Sequence, residues 1–175
     1  MRKTLDIRKL TYSAMFLAIA FVLPFFTGQI QQIGSMLCPM HSPVLLCGYI
    51  CGAPWGMLVG FITPMLRSML LGMPPMFPVA FCMAFELGTY GFVAGFLHKR
   101  LPRKKWYIYI SLLCSMVIGR VVWGIMMFAC MGFDTGMFGW SAFISGAITT
   151  AIPGILLQII VIPIIVITLE RVIKE

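Results

Sequence analysis

Several stretches of this sequence approach or exceed the roughly 20 consecutive apolar residues needed to cross about 30 Å of hydrocarbon. The chain has 175 residues, of which 61% are hydrophobic and only 10% charged. A soluble domain of this length covers itself with polar groups, and this sequence has too few to do so. Within a bilayer every backbone N–H and C=O must find its partner inside the protein, which leaves helices or closed barrels. The apolar runs lack the alternating polarity of barrel strands. The expectation is an all-α integral membrane protein, one transmembrane domain spanning residues 1–175. The basic N-terminus runs into an apolar stretch too long for a signal-peptide core and without a small-residue cleavage site.

The apolar runs predict six transmembrane helices, at 8–27, 41–52, 54–72, 78–98, 106–130 and 141–169. A polar but uncharged loop, "GQIQQIGSMLCPM", follows the first, and Gly52-Ala53-Pro54 splits the second from the third. Charge tests this count. Arg2, Lys3, Arg8 and Lys9 precede the first helix, Lys99, Arg100, Arg103, Lys104 and Lys105 separate the fourth from the fifth, and Arg171 and Lys174 follow the sixth. With six spans these eleven of the thirteen Lys/Arg fall on one side, and the opposite loops carry only Asp134. Positive loops stay in the cytoplasm, which places both the N and C termini there. The string "HKRLPRKK" is thereby explained as a topology signal, and nucleic acid is not an expected partner.

Three ionisable residues remain inside the spans: Arg67, Glu86 and Arg120. Each costs about 2.5–3.5 kcal/mol at the bilayer centre unless it has a partner or a wet cavity. At about 1.5 Å per residue they lie roughly 8, 12 and 16 Å from the outer ends of their helices. One carboxylate cannot neutralise two guanidiniums, and the sequence leaves open which arginine pairs with Glu86. The other arginine then faces the bundle interior as a surplus cation suited to a carboxylate or phosphate. The alternative for Arg67 is to snorkel to the outer headgroups; Arg120 is deeper and the stronger candidate. Other groups converge at this depth: His41 where the first outer loop enters the second helix, Gln29, Gln31 and Gln32 in that loop, Tyr90 one turn from Glu86, and Trp123 nearly one turn from Arg120. Trp140 and Asp134 flank the last outer loop. Such convergence predicts a pocket, open outward, for a small acidic ligand. Pro74, Pro75 and Pro78 end the third helix and stiffen a short loop, placing Met73 and Phe77 as a cap above Arg67.

Small residues recur at helical spacing. Ala14 and Ala18 form an AxxxA on the first helix, extended by Ala20; Gly48, Gly52, Gly56 and Gly60 repeat through the second and third, and Gly91 and Gly95 in the fourth. Spacing of this kind lets helices approach closely, within the bundle or against a partner, and internal packing is the favoured reading for the glycines. The six cysteines fall mostly in apolar runs as small fillers, with no metal-site spacing. No GxxxxGK[ST], HExxH, paired acids or Ser-His-Asp set occurs, so neither an enzyme nor a cofactor is expected. Six spans without a visible repeat are few for a self-sufficient alternating-access transporter. An apolar cytoplasmic half does not suit a channel. What remains is a binder that opens outward and lacks its own motor.

Three strings carry a family resemblance: "TYSAMFLAIAFVLPF", "GSMLCPMHSPVLLCGYICGAPWGMLVGFITPMLRSMLLGMPPMFP" and "AFELGTYGFVAGFL". They resemble the substrate-binding S-components of energy-coupling factor (ECF) transporters, the bacterial vitamin importers. The likeness covers roughly residues 8 to 97, with the last two helices alike in topology alone. It implies a multi-pass protein of the bacterial plasma membrane with a vitamin site near the outer surface, lidded by the first outer loop and the loop after the third helix. It also implies partners: one membrane-embedded coupling subunit, against which Ala14 and Ala18 would pack, and two ATPase subunits. The "PMHSPVLLCG…GMPPMFP…AFELGTYG" version resembles the pantothenate branch, whose carboxylate would suit a surplus arginine. Riboflavin, other vitamins, or a queuosine precursor held through Glu86 and the glutamines, stay open as substrates.

Overall fold

The computed structural model describes residues 2–27, 39–102, 105–131 and 152–174. They form six α-helices: α1 (Arg2–Thr27), α2 (His41–Cys51), α3 (Ala53–Leu71), α4 (Phe81–Arg100), α5 (Lys105–Met131) and α6 (Ile152–Lys174). No strand occurs among the described residues, so the fold is all-α as expected. A kinked segment, Met76–Ala80, with Phe77 extended at φ −124° and ψ 133°, leads into α4, which starts at Phe81. α1 starts at Arg2, earlier than the apolar run alone indicates, because the basic residues join the helix ahead of the span. Gln29, Gln31, Gln32, Asp134, Trp140 and the expected helix segment 141–151 lie outside the described residues.

Among the described residues, three stretches are long and apolar enough to cross a membrane: Ile7–Phe25, Met76–Arg100 and Lys105–Cys130. His41–Cys51 and Gly154–Leu169 are shorter apolar helices. Large apolar side chains such as Leu10, Val22, Val117, Ile125, Ile160 and Ile164 stand exposed around the bundle. In water such a surface aggregates; in hydrocarbon it is the expected exterior.

Helix α4 is the central element, packed against α2, α3 and α5. The glycines allow this. A Cβ placed on Gly48 would meet the Gly91 carbonyl, one on Gly56 would lie 2.6 Å from the Gly48 Cα, and one on Gly60 would meet the Leu87 carbonyl. On α4, a Cβ at Gly95 would strike Ala53 and the Gly48 carbonyl. Three backbones therefore touch directly, and the glycine repeat is internal packing. Gly52 is the exception within the repeat. It has open space around it and φ of +98°, a conformation glycine adopts without a Cβ penalty. It reverses the chain between α2 and α3, and Pro54 then sits in the first turn of α3, where a missing N–H costs nothing.

The alanine stripe divides differently from its sequence reading. Ala14 and Ala18 are exposed on α1, whereas Ala20 is fully buried with Ser13 and Phe16 on the opposite side. Ala20 thus belongs to the core and does not extend the AxxxA. The two outward alanines leave a flat strip on a helix face that no other described element covers.

Candidate functional site

Because α4 is surrounded, its inward residues are deeply buried, and Glu86 is among them at 1% exposure. Its Oε1 gathers three groups from three helices. Arg120 Nη1 on α5 lies at 3.0 Å, the Tyr90 hydroxyl donates from one turn along α4 at 3.0 Å, and His41 Nε2 at the start of α2 stands at 3.8 Å. The i, i+4 spacing of Glu86 and Tyr90 puts both on one face, which makes their hydrogen bond local. The pairing that the sequence left open is thus resolved: Glu86 takes Arg120.

Two further aromatic contacts complete the cluster. The Arg120 guanidinium lies 5.8 Å from the Trp123 ring centre, a cation–π geometry that the i, i+3 spacing supplies. The His41 and Tyr90 rings approach to 5.3 Å at 56°. Tyr90 can lie against α5 because of Gly119, where any Cβ would run into the Tyr90 ring. Gly119 is a site-shaping residue that sequence reasoning missed. Its only signal was a glycine directly before an arginine inside an apolar span.

His41 is 6% exposed, and neither of its ring nitrogens has a hydrogen-bond partner among the described residues. Its 3.8 Å approach to Glu86 is too long for a hydrogen bond. Leaving such a group unsatisfied costs about 1–3 kcal/mol. A bound polar group would satisfy it.

Arg67 is elsewhere. Near the end of α3 it is half-buried, and its Nε donates to the Met73 carbonyl at 3.3 Å. Gly72, with φ of +67°, caps the helix in the left-handed conformation, and the chain then enters the proline loop through cis Met73-Pro74 and cis Phe77-Pro78. Arg67 therefore grips the start of that loop, and has no carboxylate partner among the described residues. Met73 and Phe77 are exposed on the loop at 61% and 64%.

The structure thus brings together His41, Glu86, Tyr90, Arg120 and Trp123, and sets Arg67, Met73 and Phe77 apart at the end of α3 and the following loop. Gln32 lies outside the described residues. No set of three His, Cys, Asp or Glu among the described residues is arranged to hold a metal ion. The cluster contains donors, acceptors and aromatic faces in a water-poor setting, an arrangement suited to recognition.

No curated protein and no solved structure matches this chain. A family model does: the ECF transporter, substrate-specific component, matches residues 8–166. That match runs beyond residue 97 through α5 and into α6, so it takes in Arg120 and Trp123 as well as Glu86. The buried polar cluster in an otherwise apolar all-helical bundle, together with a family match over most of its length, makes this chain a substrate-specific component of the ECF transporter family.

Proposed function

We propose that this chain captures a small, water-soluble, acidic vitamin from outside the cell, with pantothenate as the first candidate. The observation that carries the reading is the charge count inside the apolar helices. Glu86 is matched by Arg120, so Arg67 is left without a carboxylate partner among the described residues. A ligand carboxylate supplies the missing charge. His41, with neither ring nitrogen hydrogen-bonded among the described residues, offers a further hydrogen bond to a hydroxyl or amide. Tyr90 and Trp123 supply apolar faces, and the proline loop with Met73 and Phe77 acts as a lid tethered by Arg67. Gln32, outside the described residues, is a further candidate partner for the ligand.

The test is calorimetry on the purified protein. Arg67→Ala weakens pantothenate binding about 10- to 150-fold, the loss of one hydrogen bond to a charged group. Arg67→Lys recovers part of it, because a point charge cannot reproduce the guanidinium fork. Unchanged affinity in Arg67→Ala would remove the acidic ligand from the proposal. A neutral substrate, such as riboflavin or a queuosine precursor, would then take its place.

The proposal includes six spans, both termini cytoplasmic, in the bacterial plasma membrane. Energy comes from partners: a membrane coupling subunit and two ATPases that hydrolyse ATP. Ala14 and Ala18 support this, since they are exposed and flat on α1. Ala14→Leu or Ala18→Leu weakens co-purification with the coupling subunit, because the helices can no longer approach. Ligand affinity stays at the parent value, since neither alanine touches the Glu86 cluster. A variant that keeps the complex and loses the ligand would show the strip to be part of the binding fold.

A further inference from the structure

At the far end of the bundle from Glu86, where α2 turns into α3 and α4 ends, a groove of about 1100 Å³ opens. It joins residues from α1, α2, α3, α4 and α6. Its lining is segregated. Lys9, Lys99 and Arg100 are exposed cations, and no acidic side chain among the described residues lines the groove. Below them the wall is aromatic: the Phe92 and Phe96 rings stack at 5.8 Å and 11°, and Arg100 lies 4.9 Å over the Phe96 ring. Trp55 completes that wall, half-buried at the start of α3. The Tyr49 hydroxyl at its back is already engaged with Ser111 at 2.7 Å and the Ile108 carbonyl at 3.2 Å, and His98 lies edge-on to the Tyr49 ring at 5.1 Å, so the exposed charge at the rim is that of Lys9, Lys99 and Arg100.

A cationic rim above an exposed aromatic wall, at the end of membrane-spanning helices, matches a molecule that is anionic at one end and apolar along the rest. A free anion needs no aromatic wall, and a neutral lipid needs no unopposed cations. We infer that this groove seats an acidic phospholipid, with its headgroup phosphate at Lys9, Lys99 and Arg100 and one acyl chain along Phe92 and Phe96. Basic pockets between helices at the membrane surface bind acidic headgroups on these grounds. The inference rests on the proposed topology only for the leaflet, which is then the cytoplasmic one. The lipid would hold this end of the bundle at the headgroup level while the opposite end receives the ligand.

The experiment is native mass spectrometry of the full chain in mild detergent, titrated with phosphatidylglycerol or phosphatidylcholine of identical acyl chains. Phosphatidylglycerol binds about tenfold tighter or better, as expected for more than one cation at the phosphate. Lys99→Gln/Arg100→Gln weakens it by roughly 30-fold, from about 1 kcal/mol per basic residue. Arg8→Gln/Lys105→Gln removes the same charge from exposed positions outside the groove and leaves the preference standing. Lys9→Gln, a single change, gives a partial loss and serves if the double variant fails to fold. Equal binding of the two lipids, or equal loss in both double variants, overturns the inference. So does complete displacement of the lipid by millimolar inorganic phosphate, which would make this a soluble-anion site. Pantothenate titrations on the same preparations keep failure here separate from failure of the vitamin reading.

Discussion

Arg120→Ala lowers the unfolding free energy of the ligand-free protein by about 3–5 kcal/mol, because it strands a buried carboxylate. Glu86 is 1% exposed, and among the described residues Arg120 is the one guanidinium set against it, at 3.0 Å. The Tyr90 hydroxyl still donates to Glu86 but carries no charge, and His41 at 3.8 Å helps only when protonated. Arg120→Lys restores part of the stability, since the charge remains while the fork and the contact with Trp123 are lost. The informative companion is the double variant Glu86→Leu/Arg120→Met. It buries no charge, so it recovers most of the stability of the single variant. Binding is not recovered, because the Tyr90 hydroxyl loses the carboxylate it donates to and Trp123 loses the guanidinium beside its ring. Thermal unfolding in detergent without ligand reads the first effect and calorimetry the second. An Arg120→Ala protein that melts with the parent would show that the pair contributes nothing to the fold, and the cluster would lose its structural half.

Gly91→Leu prevents recovery of a folded monodisperse protein, the larger of the two effects. A Cβ at Gly91 falls on the Gly56 carbonyl group and lies 2.9 Å from the Gly56 Cα. These are backbone atoms of a packed helix, with no side chain to swing aside. The smaller Gly91→Ala already overpacks the crossing and costs about 1–3 kcal/mol. The contrast is Ala14→Leu, on the exposed face of α1, which leaves the midpoint unchanged. Size-exclusion profiles and unfolding midpoints across the three variants give the ordering. A Gly91→Leu protein with a parental profile would mean that α3 and α4 can separate without cost, against the packing described above.

Much of the fold was legible because the bilayer restricts the choices. A run such as Tyr12–Phe26 has no aqueous alternative to a helix, and Gly52-Ala53-Pro54 can only interrupt one. Glu86, Arg120, Tyr90 and His41 were also legible as candidates, since buried charge is costly and needs a reason. Their grouping was less so. Arg67 and Arg120 look alike in sequence, and only the crossing of α4 with α5 brings Arg120 to Glu86 while Arg67 turns to the Met73 carbonyl. Gly119 carried almost no signal, because its importance depends on a tyrosine of another helix.

The amino-acid sequence by itself determined that the chain is helical and suited to a membrane, where its helices break, and which few polar residues demand an explanation. Those properties follow from local composition and from the cost of unsatisfied groups in hydrocarbon, and neither needs a partner element. Tertiary structure alone decided which face of α1 is buried, separating Ala14 and Ala18 from Ala20. It alone decided which arginine neutralises Glu86, and that Lys9, Trp55 and Arg100 share one groove. These are relations between helices distant in sequence. They are set by the close crossings that Gly48, Gly56 and Gly91 permit, and no local pattern encodes them.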